Sequence, residues 1–212
     1  MDKKTWFSAD LHISHSNILD FSPERIDALG MKVDKVKLAK AYTDYRADRK
    51  NHTAKNFIMD TVDEMNEAIV TKWNSDIGFS DDVFIIGDVS FAKDDVTKKF
   101  LNRMNGRLHL IRGNHDKYTD RLDRWEFVKD YYEGYFDTIK VVMFHFPIQE
   151  WNKCHHGAFH LHGHVHGKPT GIEGRILDVA MESVKSVAIE WNDVRDALMK
   201  KPVRAHHDKY DT

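Results

Sequence analysis

The stretch RLHLIRGNHD, residues 107–116, joins an apolar segment to a polar one of quite different character. Leu108, Leu110 and Ile111 are typical of a buried β-strand. The four residues that follow, GNHD, combine turn formers with side chains that can bind a metal ion. The stretch therefore predicts a strand that ends by presenting polar ligands at one edge of a sheet.

The same apolar pattern recurs along the chain. Strands are predicted over 4–10, 82–88, 107–114, 138–145, 158–164, 175–181 and, more weakly, 185–191. Apolar residues three or four apart predict helices over 54–73 and 94–104. Strands alternating with helices indicate an α/β (α+β) layered fold with a central sheet, and we expect one domain over residues 1–212.

Five consecutive predicted strands end on Asp, Asn or His. These residues are Asp10 and His12, Asp88, Asn114 and His115, His145, and finally His164 and His166. In open α/β sheets the ligand crevice lies outside the carboxyl ends of the strands, so we expect the side chains to converge on one cleft. Alternate positions on a strand share a face, which would let His164 and His166 reach the same side.

This set of oxygen and imidazole ligands predicts a metal site. It suits Mn, Fe, Co, Ni or Zn and is too rich in nitrogen for Ca or Mg alone. It contains no thiolate, which argues against a structural Cys/His zinc site. Two Asp, one Asn and four His exceed the needs of one tetrahedral ion, so we expect two divalent ions that share a carboxylate.

The series DLH, GD, GNHD, H and GHVH resembles the calcineurin-like metallophosphoesterase superfamily. The stretches DLHISHSNI (10–18), DEMNEAIVTKWN (63–74), FHFPIQEWN (144–152) and HHGAFHLHGHVHG (155–167) are similar to a small single-domain subgroup of bacterial and phage phosphoesterases. The resemblance implies a four-layer fold, a two-sheet β-sandwich flanked by helices, with the metal centre at one end of the strands.

The resemblance also implies a role for each motif residue. It assigns Asp10, His12 and His166 to the first metal, Asn114, His145 and His164 to the second, Asp88 to a bridging position, and His115 to catalysis. Two such ions clamp the attacking and leaving oxygens of an in-line displacement at phosphorus, with a water between them as the nucleophile. His115 would then act as the general acid, because imidazole exchanges protons near neutral pH.

Further residues near the motifs are weaker candidates. Asp116 could orient the His115 ring, or it could be a turn or helix-capping residue. His15, Asn17 and Arg112 could contact the substrate phosphate. A surface turn is the alternative for His15 and Asn17, and a salt bridge is the alternative for Arg112.

The other histidines of this region receive mostly structural roles. His160 and His162 are predicted to pack behind the metal ligands of the same strand. His155 and His156 lie on the loop before that strand and could form the rim of the cleft.

Residues 31–56 carry eight Lys or Arg against three Asp, a local charge of about +5 in a chain of net charge −2. The resemblance leads us to expect a much shorter link here, so we interpret the segment as a charged helical insertion. It could be a solvated helical face, a cationic flap over an anionic substrate, or a contact for nucleic acid.

The favoured function is a dinuclear metal-dependent phosphodiesterase acting on a nucleotide or cyclic-nucleotide type of phosphate ester. A nucleotide pyrophosphatase or phosphomonoesterase is the alternative enzyme. A non-catalytic metal-bound scaffold and a nucleic-acid-binding module are alternatives of other classes. A single cysteine, no apolar leader and no membrane-length apolar run favour a cytoplasmic protein without membrane contact. The sequence leaves the oligomeric state open.

Overall fold

A computed structural model describes residues 3–117 and 119–205 of the chain. Its first sheet has the strand order β4-β3-β2-β1-β9. The strands β1 to β4 are parallel, and β9 runs antiparallel at the edge beside β1. Their bounds are β1 Thr5–Ser8, β2 Asp82–Ile86, β3 Arg107–Ile111, β4 Trp125–Lys129 and β9 Ile189–Glu190.

The second sheet has the order β5-β6-β7-β8. The pair β5 and β6 is an antiparallel hairpin, whereas β6, β7 and β8 are parallel. The bounds are β5 Tyr131–Phe136, β6 Ile139–Phe144, β7 Phe159–His162 and β8 Ile176–Asp178. The carboxyl ends of the parallel strands in both sheets are therefore available to build one site.

Helices cover the first sheet and fill the links between strands. They are α1 Ile18–Phe21, α2 Arg25–Ala28, α3 Lys35–Ala47, α4 His52–Asp76, α5 Asp94–Leu101, α6 Met181–Val184 and α7 Trp191–Met199. The helix expected over 54–73 lies within α4, which begins after Asn51, whose side chain accepts a hydrogen bond from the Ala54 N–H. The helix expected over 94–104 ends earlier, at Leu101.

Two apolar layers hold these elements together. Phe7, Phe84, Met143 and Phe159 belong to a buried cluster contributed by both sheets. A second cluster joins the first sheet to α3 and α4, with Trp73 fully buried in it. The expected mixed α/β architecture, two sheets flanked by helices, is confirmed. Within the described residues, no helix is both long enough and apolar enough to cross a membrane.

The segment 31–56 contains α3 and the start of α4. Leu38, Ala41 and Tyr42 bury one side of α3 in the cluster beneath it. The Tyr42 hydroxyl donates to the Ser16 carbonyl (2.8 Å), and Arg46 forms an ion pair with Asp20. The segment therefore packs against residues 16–20, which follow the first metal-ligand motif.

Several predicted strands are too long at their carboxyl ends. The predicted strand 4–10 ends at Ser8, 82–88 ends at Ile86, 107–114 ends at Ile111 and 158–164 ends at His162. The strand 185–191 shrinks to two residues, and the strands Trp125–Lys129 and Tyr131–Phe136 were not expected. Four predicted metal ligands therefore lie on loops beyond the strand ends, namely Asp10, Asp88, Asn114 and His164.

Candidate metal centre

The predicted metal ligands lie on loops that follow β1, β2, β3, β6 and β7. Six of them form two groups, and within each group one ligand atom from every residue lies within 4.8 Å of the others. These groups are Asp10, His12 and His166, and Asp88, His145 and His164. The convergence of strand ends on one site is therefore what the structure shows.

Asp88 belongs to the second group and also faces a histidine of the first. Its Oδ2 lies 3.5 Å from His145 Nε2 and 3.8 Å from His12 Nε2. Asn114 joins the second group, since its Oδ1 lies 3.2 Å from His145 Nε2. Asp10 Oδ1 lies 3.5 Å from His12 Nε2 and 3.7 Å from His166 Nε2. One carboxylate oxygen thus faces a histidine from each group, the arrangement expected of a bridging ligand.

The loops that carry the ligands adopt an uncommon backbone conformation. Five ligands have φ between 50° and 70°, namely Asp10, His12, Asp88, His164 and His166. A residue other than glycine in this left-handed region costs on the order of 1–3 kcal/mol, and such residues cluster at functional sites. His164 and His166 therefore reach the site from a turn, and the prediction that they alternate along a strand is wrong.

Glycines let these loops approach one another. A Cβ on Gly163 would overlap Asp10 Oδ2 and lie 2.6 Å from Ala9 Cβ. Gly87 has φ +84°, and a Cβ there would overlap His145 Nδ1 and lie 2.6 Å from Gly113 Cα. Both positions need the absence of a side chain for the ligands to stay in place.

Hydrogen bonds with neighbouring residues hold the ligand side chains in position. His145 Nδ1 lies 2.8 Å from the Ile86 carbonyl, and the His164 N–H donates to Asp10 Oδ2 (2.8 Å). His166 Nδ1 lies 3.1 Å from Glu182 Oε1, which leaves Nε2 facing Asp10. Such partners on the second ring nitrogen orient metal-binding imidazoles.

A buried arginine completes this layer. The Arg25 side chain is fully buried and pairs with Glu182. It also donates to the Leu11 carbonyl (2.9 Å) and to the Asp10 carbonyl. Arg25 thus joins the loop of the first ligand motif to α6. Arg25 and Glu182 were not predicted, because a buried ion pair between distant residues leaves no local pattern in the sequence.

The electrostatics of the site are compatible with bound cations. Burial raises the pKa of the Asp10 carboxyl to about 7. Burial and the nearby Arg25 charge lower the pKa of His12 to about 2, so its ring is neutral and able to donate a lone pair. Burial opposes ionisation of Asp88, but the His145 hydrogen bond and charge outweigh it and lower its pKa to about 2.

Several buried polar atoms fit a divalent ion. Asp10 Oδ1 and His12 Nε2 are buried and form no hydrogen bond within the described part of the chain. Buried polar atoms are normally paired, so atoms like these need an explanation such as an ion. Carboxylate oxygens and imidazole nitrogens suit the divalent ions of the first transition series. The two groups of side chains can therefore each hold one metal ion.

His115 lies beside the two groups rather than within them. Its side chain is exposed, while its N–H donates to Asp88 Oδ1 (2.9 Å). Its ring centroid lies 6.3 Å from that of His12 and 4.5 Å from that of Phe91. The predicted catalytic histidine is thus fixed through its main chain to the shared carboxylate, with its imidazole free to meet a ligand.

Asp116 has a different role from the one expected. Its carboxylate is buried and accepts hydrogen bonds from the N–H groups of Asp88 (2.8 Å), Val89 (3.0 Å) and Gly113 (2.8 Å). It bonds to main chain and not to the His115 ring. The prediction that Asp116 orients this imidazole is corrected, because Asp116 instead ties the loop after β2 to the loop after β3.

The three weaker candidates for substrate binding lie in different environments. His15 lines a cleft beside the first group, with His12, His115 and His166. Asn17 is exposed at the N-cap of α1 and makes no side-chain capping bond. Arg112 forms a bidentate ion pair with Asp130 (2.7 and 2.8 Å) and a third bond to Asp120 (2.8 Å). Arg112 thus follows the salt-bridge alternative.

Three further histidines, His155, His160 and His162, bond to main-chain groups. His160 is buried, with Nδ1 3.2 Å from the Val142 carbonyl and Nε2 accepting from the Ile148 N–H (3.3 Å). His162 is buried, with Nδ1 2.9 Å from the Gly163 carbonyl. His155 Nδ1 lies 3.2 Å from the Arg204 carbonyl. None of these three belongs to the two ligand groups.

One supporting residue had a visible signal in the sequence. Asn66, within the DEMNEAIVTKWN stretch, is almost fully buried on α4. Its Oδ1 accepts from the Ser14 N–H (2.9 Å), and its Nδ2 donates to Ser14 Oγ (3.2 Å). A polar residue on the apolar side of α4 therefore anchors the loop that carries His12 and His15.

Comparison with known proteins adds to this picture. No family model matches the chain. The uncharacterized protein MJ1445 of Methanocaldococcus jannaschii is 32% identical over 107 residues, which are 50% of this chain and 55% of that protein. The chain thus spans about half the length of this curated relative. A protein of unknown function from Aquifex aeolicus, AQ665, superposes with a TM-score of 0.62 at 16% identity, over 92% of this chain and all of the other.

Two phosphoesterases are more distant structural neighbours. The phosphoesterase Yfce of E. coli has a TM-score of 0.39 at 14% identity, over 88% of this chain and 81% of its own. A predicted phosphoesterase of Streptococcus pneumoniae has a TM-score of 0.34 at 16% identity, over 87% and 75%. In this chain, two sheets bring the motif residues to one end, where they form two ligand groups. The chain has a two-sheet α/β fold, shared with AQ665, that carries two candidate metal-ligand groups at one end.

Proposed function

We propose that this chain is a metallophosphoesterase, a dinuclear metal-dependent enzyme that favours phosphodiesters of the nucleotide type. The observation that carries the proposal is the position of Asp88. Its Oδ2 faces His12 of one ligand group and His145 of the other, while its Oδ1 accepts the N–H of His115. Two candidate ion sites and the main chain of His115 are thus joined through one carboxylate.

The residues present fit two divalent cations. Asp10, His12 and His166 would hold one, Asn114, His145 and His164 the other, and Asp88 would contact both. Such a pair of ions supplies charge neutralisation for the phosphoryl oxygens and an acidified water for attack in line with the leaving group. Mn, Fe, Co, Ni and Zn all suit this donor set.

The chain's own groups perform the remaining tasks. Asp116 and Asp88 fix the backbone of the loop that carries His115, through the Gly113 and His115 N–H groups. The His115 imidazole faces the cleft beside His12 and His166 and donates a proton to the leaving oxygen. Glu182 holds Nδ1 of His166, which keeps Nε2 directed to Asp10.

The size of the cleft fits an organic group esterified to the phosphate. A cleft of about 620 Å3 is lined by His12, His115 and His166 and also by Phe21 and Phe91. A small-molecule site commonly has a volume of roughly 300–1,000 Å3. The organic group of a nucleotide-type ester would occupy this space.

The experiment is turnover of bis-p-nitrophenyl phosphate by the Mn²⁺-loaded protein. We expect metal-dependent release of p-nitrophenolate. With a diester whose leaving group is a poorly acidic alcohol, His115→Ala should lower kcat by about 10²–10⁴, the usual contribution of a general acid. His52→Ala is the matched control, because His52 is exposed at the start of α4. An equal loss in both variants, or no release with any of the five metals, contradicts the proposal.

The alternatives give different results in the same assays. A phosphomonoesterase or nucleotide pyrophosphatase would turn over p-nitrophenyl phosphate or a dinucleotide pyrophosphate faster than the diester. A scaffold would bind metal tightly and turn over nothing. Nucleic-acid binding through 31–56 stays a prediction, and its test is an affinity that falls steeply with salt. Three cations of this segment, Lys35, Lys40 and Arg46, are already paired with carboxylates.

A further inference from the structure

An aromatic wall lies beside the first ligand group, and the proposed chemistry makes no use of it. Phe91 is 39% exposed and Phe21 is 67% exposed, which is unusual for such apolar rings. Both line the cleft of about 620 Å3 that also contains His12, His115 and His166. We call the part of it bounded by His15, Phe21, Phe91 and Pro169 the aromatic cleft.

In this wall Phe91 is stacked on two imidazole rings, whereas Phe21 is tilted by 52° to the ring of His15. The centroids of Phe91 and His15 lie 4.0 Å apart with planes at 16°, and those of Phe91 and His12 lie 5.1 Å apart at 17°. The His15 and Phe21 centroids lie 6.1 Å apart. Flat rings in near-parallel layers offer a surface on which a further planar ring can stack.

The wall is held rigidly. The Phe91 N–H donates to the Ile13 carbonyl (2.8 Å), and an isolated bridge joins Ile13 to Ser90. On the other side, α3 holds the loop before Phe21 through Tyr42, which donates to the Ser16 carbonyl. A rigid exposed aromatic surface costs little ordering entropy when a ligand binds it.

The remaining lining adds polar groups around the apolar surface. Glu24 and Lys168, both exposed, line the same cleft, as does the buried Ser22. Small-molecule sites typically combine aromatic walls with a few polar groups that fix orientation. A nucleobase matches this chemistry, because it has two flat faces for stacking and an edge of hydrogen-bond donors and acceptors. A simple alkyl or sugar substituent has no planar face to offer.

From this geometry we infer that the aromatic cleft binds the nucleobase of a nucleoside phosphate whose phosphorus lies at the metal centre. The inference rests on the proposed function for the position of the phosphate, and it extends that function by naming the organic group. Phe91 and Phe21 are binding residues in this account, and the segment 31–56 holds the residues that precede Phe21.

The test is equilibrium binding to the Mn²⁺-loaded protein, measured by calorimetry. The ligands are phosphonate analogues of AMP and of ribose 5-phosphate, in which a methylene replaces the ester oxygen. They cannot be hydrolysed, and they differ only in the base. We expect the wild-type protein to bind the adenosine analogue about tenfold or more tightly than the ribose analogue, in the range of one stacked base.

Substitution of the two phenylalanines tests whether their rings cause the difference in affinity. Phe91→Leu and Phe21→Leu keep an apolar side chain but remove the flat ring, so the affinity ratio should fall towards one while inorganic phosphate binds as before. Phe79→Leu is the matched control, since Phe79 is 85% exposed and does not line this cleft. Phe21 is largely exposed, so its variant tests the inference even if Phe91→Leu folds poorly.

The outcomes separate this inference from the proposed function. Equal affinities for the two analogues, an unchanged ratio in both variants, or no binding of either analogue at millimolar concentration overturns the nucleobase site. Failure to hydrolyse any phosphate ester overturns the proposed function instead, and the binding ratio can still be measured in that case.

Discussion

Glu182 Oε1 lies 3.1 Å from Nδ1 of His166, while the same carboxylate pairs with the buried Arg25. The contact joins a predicted metal ligand to a charge pair that is sealed from solvent. Burial opposes ionisation of Glu182, but the His166 hydrogen bond and the Arg25 charge outweigh it and lower its pKa to about 2. A permanent negative charge behind His166 makes this imidazole a stronger ligand.

We therefore expect Glu182→Gln to weaken metal binding at the first group by about 10–100-fold, the usual effect of losing such a partner. Removing one member of a buried ion pair also destabilises the fold, by roughly 3–5 kcal/mol. Metal titration of the folded variant below its unfolding temperature separates the two effects. Glu150→Gln is the control, because Glu150 is exposed. Unchanged metal affinity in Glu182→Gln would rule out the supporting role.

Gly163 provides a steric test of the ligand loops. Gly163→Ala places a methyl group against Asp10 Oδ2 and Ala9 Cβ, so Asp10 must move. We expect loss of the first metal and at least a tenfold fall in activity. In Gly78→Ala the new Cβ lies no nearer than 3.5 Å to any atom outside its chain neighbours, which is ordinary contact. Near-normal activity in both variants would show that the loops are not tightly packed.

His160 makes the stability of the protein depend on pH. Burial lowers its pKa to about 3 from the ordinary 6.5. Between these values the unfolded chain binds a proton that the folded chain refuses. The free energy of unfolding therefore falls as the pH falls from about 6.5 towards 3, by up to about 1.4 kcal/mol per pH unit from this group.

Denaturant unfolding of wild type and His160→Gln across this range isolates the contribution. Glutamine can still donate and accept hydrogen bonds but does not titrate, so the variant should lose stability less steeply as the solution is acidified. His52→Gln, at an exposed position, should match the wild-type slope. Parallel curves for wild type and His160→Gln would show that His160 is not the titrating group.

The fold was predictable where apolar strands alternate with helices. The strand around Leu108 and the helix around Val62 have clear periodicities, and both exist. The strands at 125–129 and 131–136 were not predicted, because they lack a simple apolar pattern. Their exposed positions carry aromatic and charged residues such as Glu126, Lys129 and Tyr135. They lie at the edges of the two sheets, where strands are less buried.

The candidate site was predictable in composition but not in local geometry. Asp10, Asp88 and His164 were found because each follows an apolar strand. Their left-handed backbone arises from packing between loops distant in sequence, and each strand ends two residues earlier than predicted. Asp116 was misassigned for the same reason, since only the fold shows that the Asp88 N–H lies within its reach.

The two-ion centre is tested most directly by anomalous diffraction from crystals of the Mn²⁺-loaded protein. The account predicts two peaks per chain. One should lie within ligand distance of Asp10, His12 and His166, the other of Asn114, His145 and His164, and both should contact Asp88. A single peak, or peaks that avoid Asp88, would contradict the account.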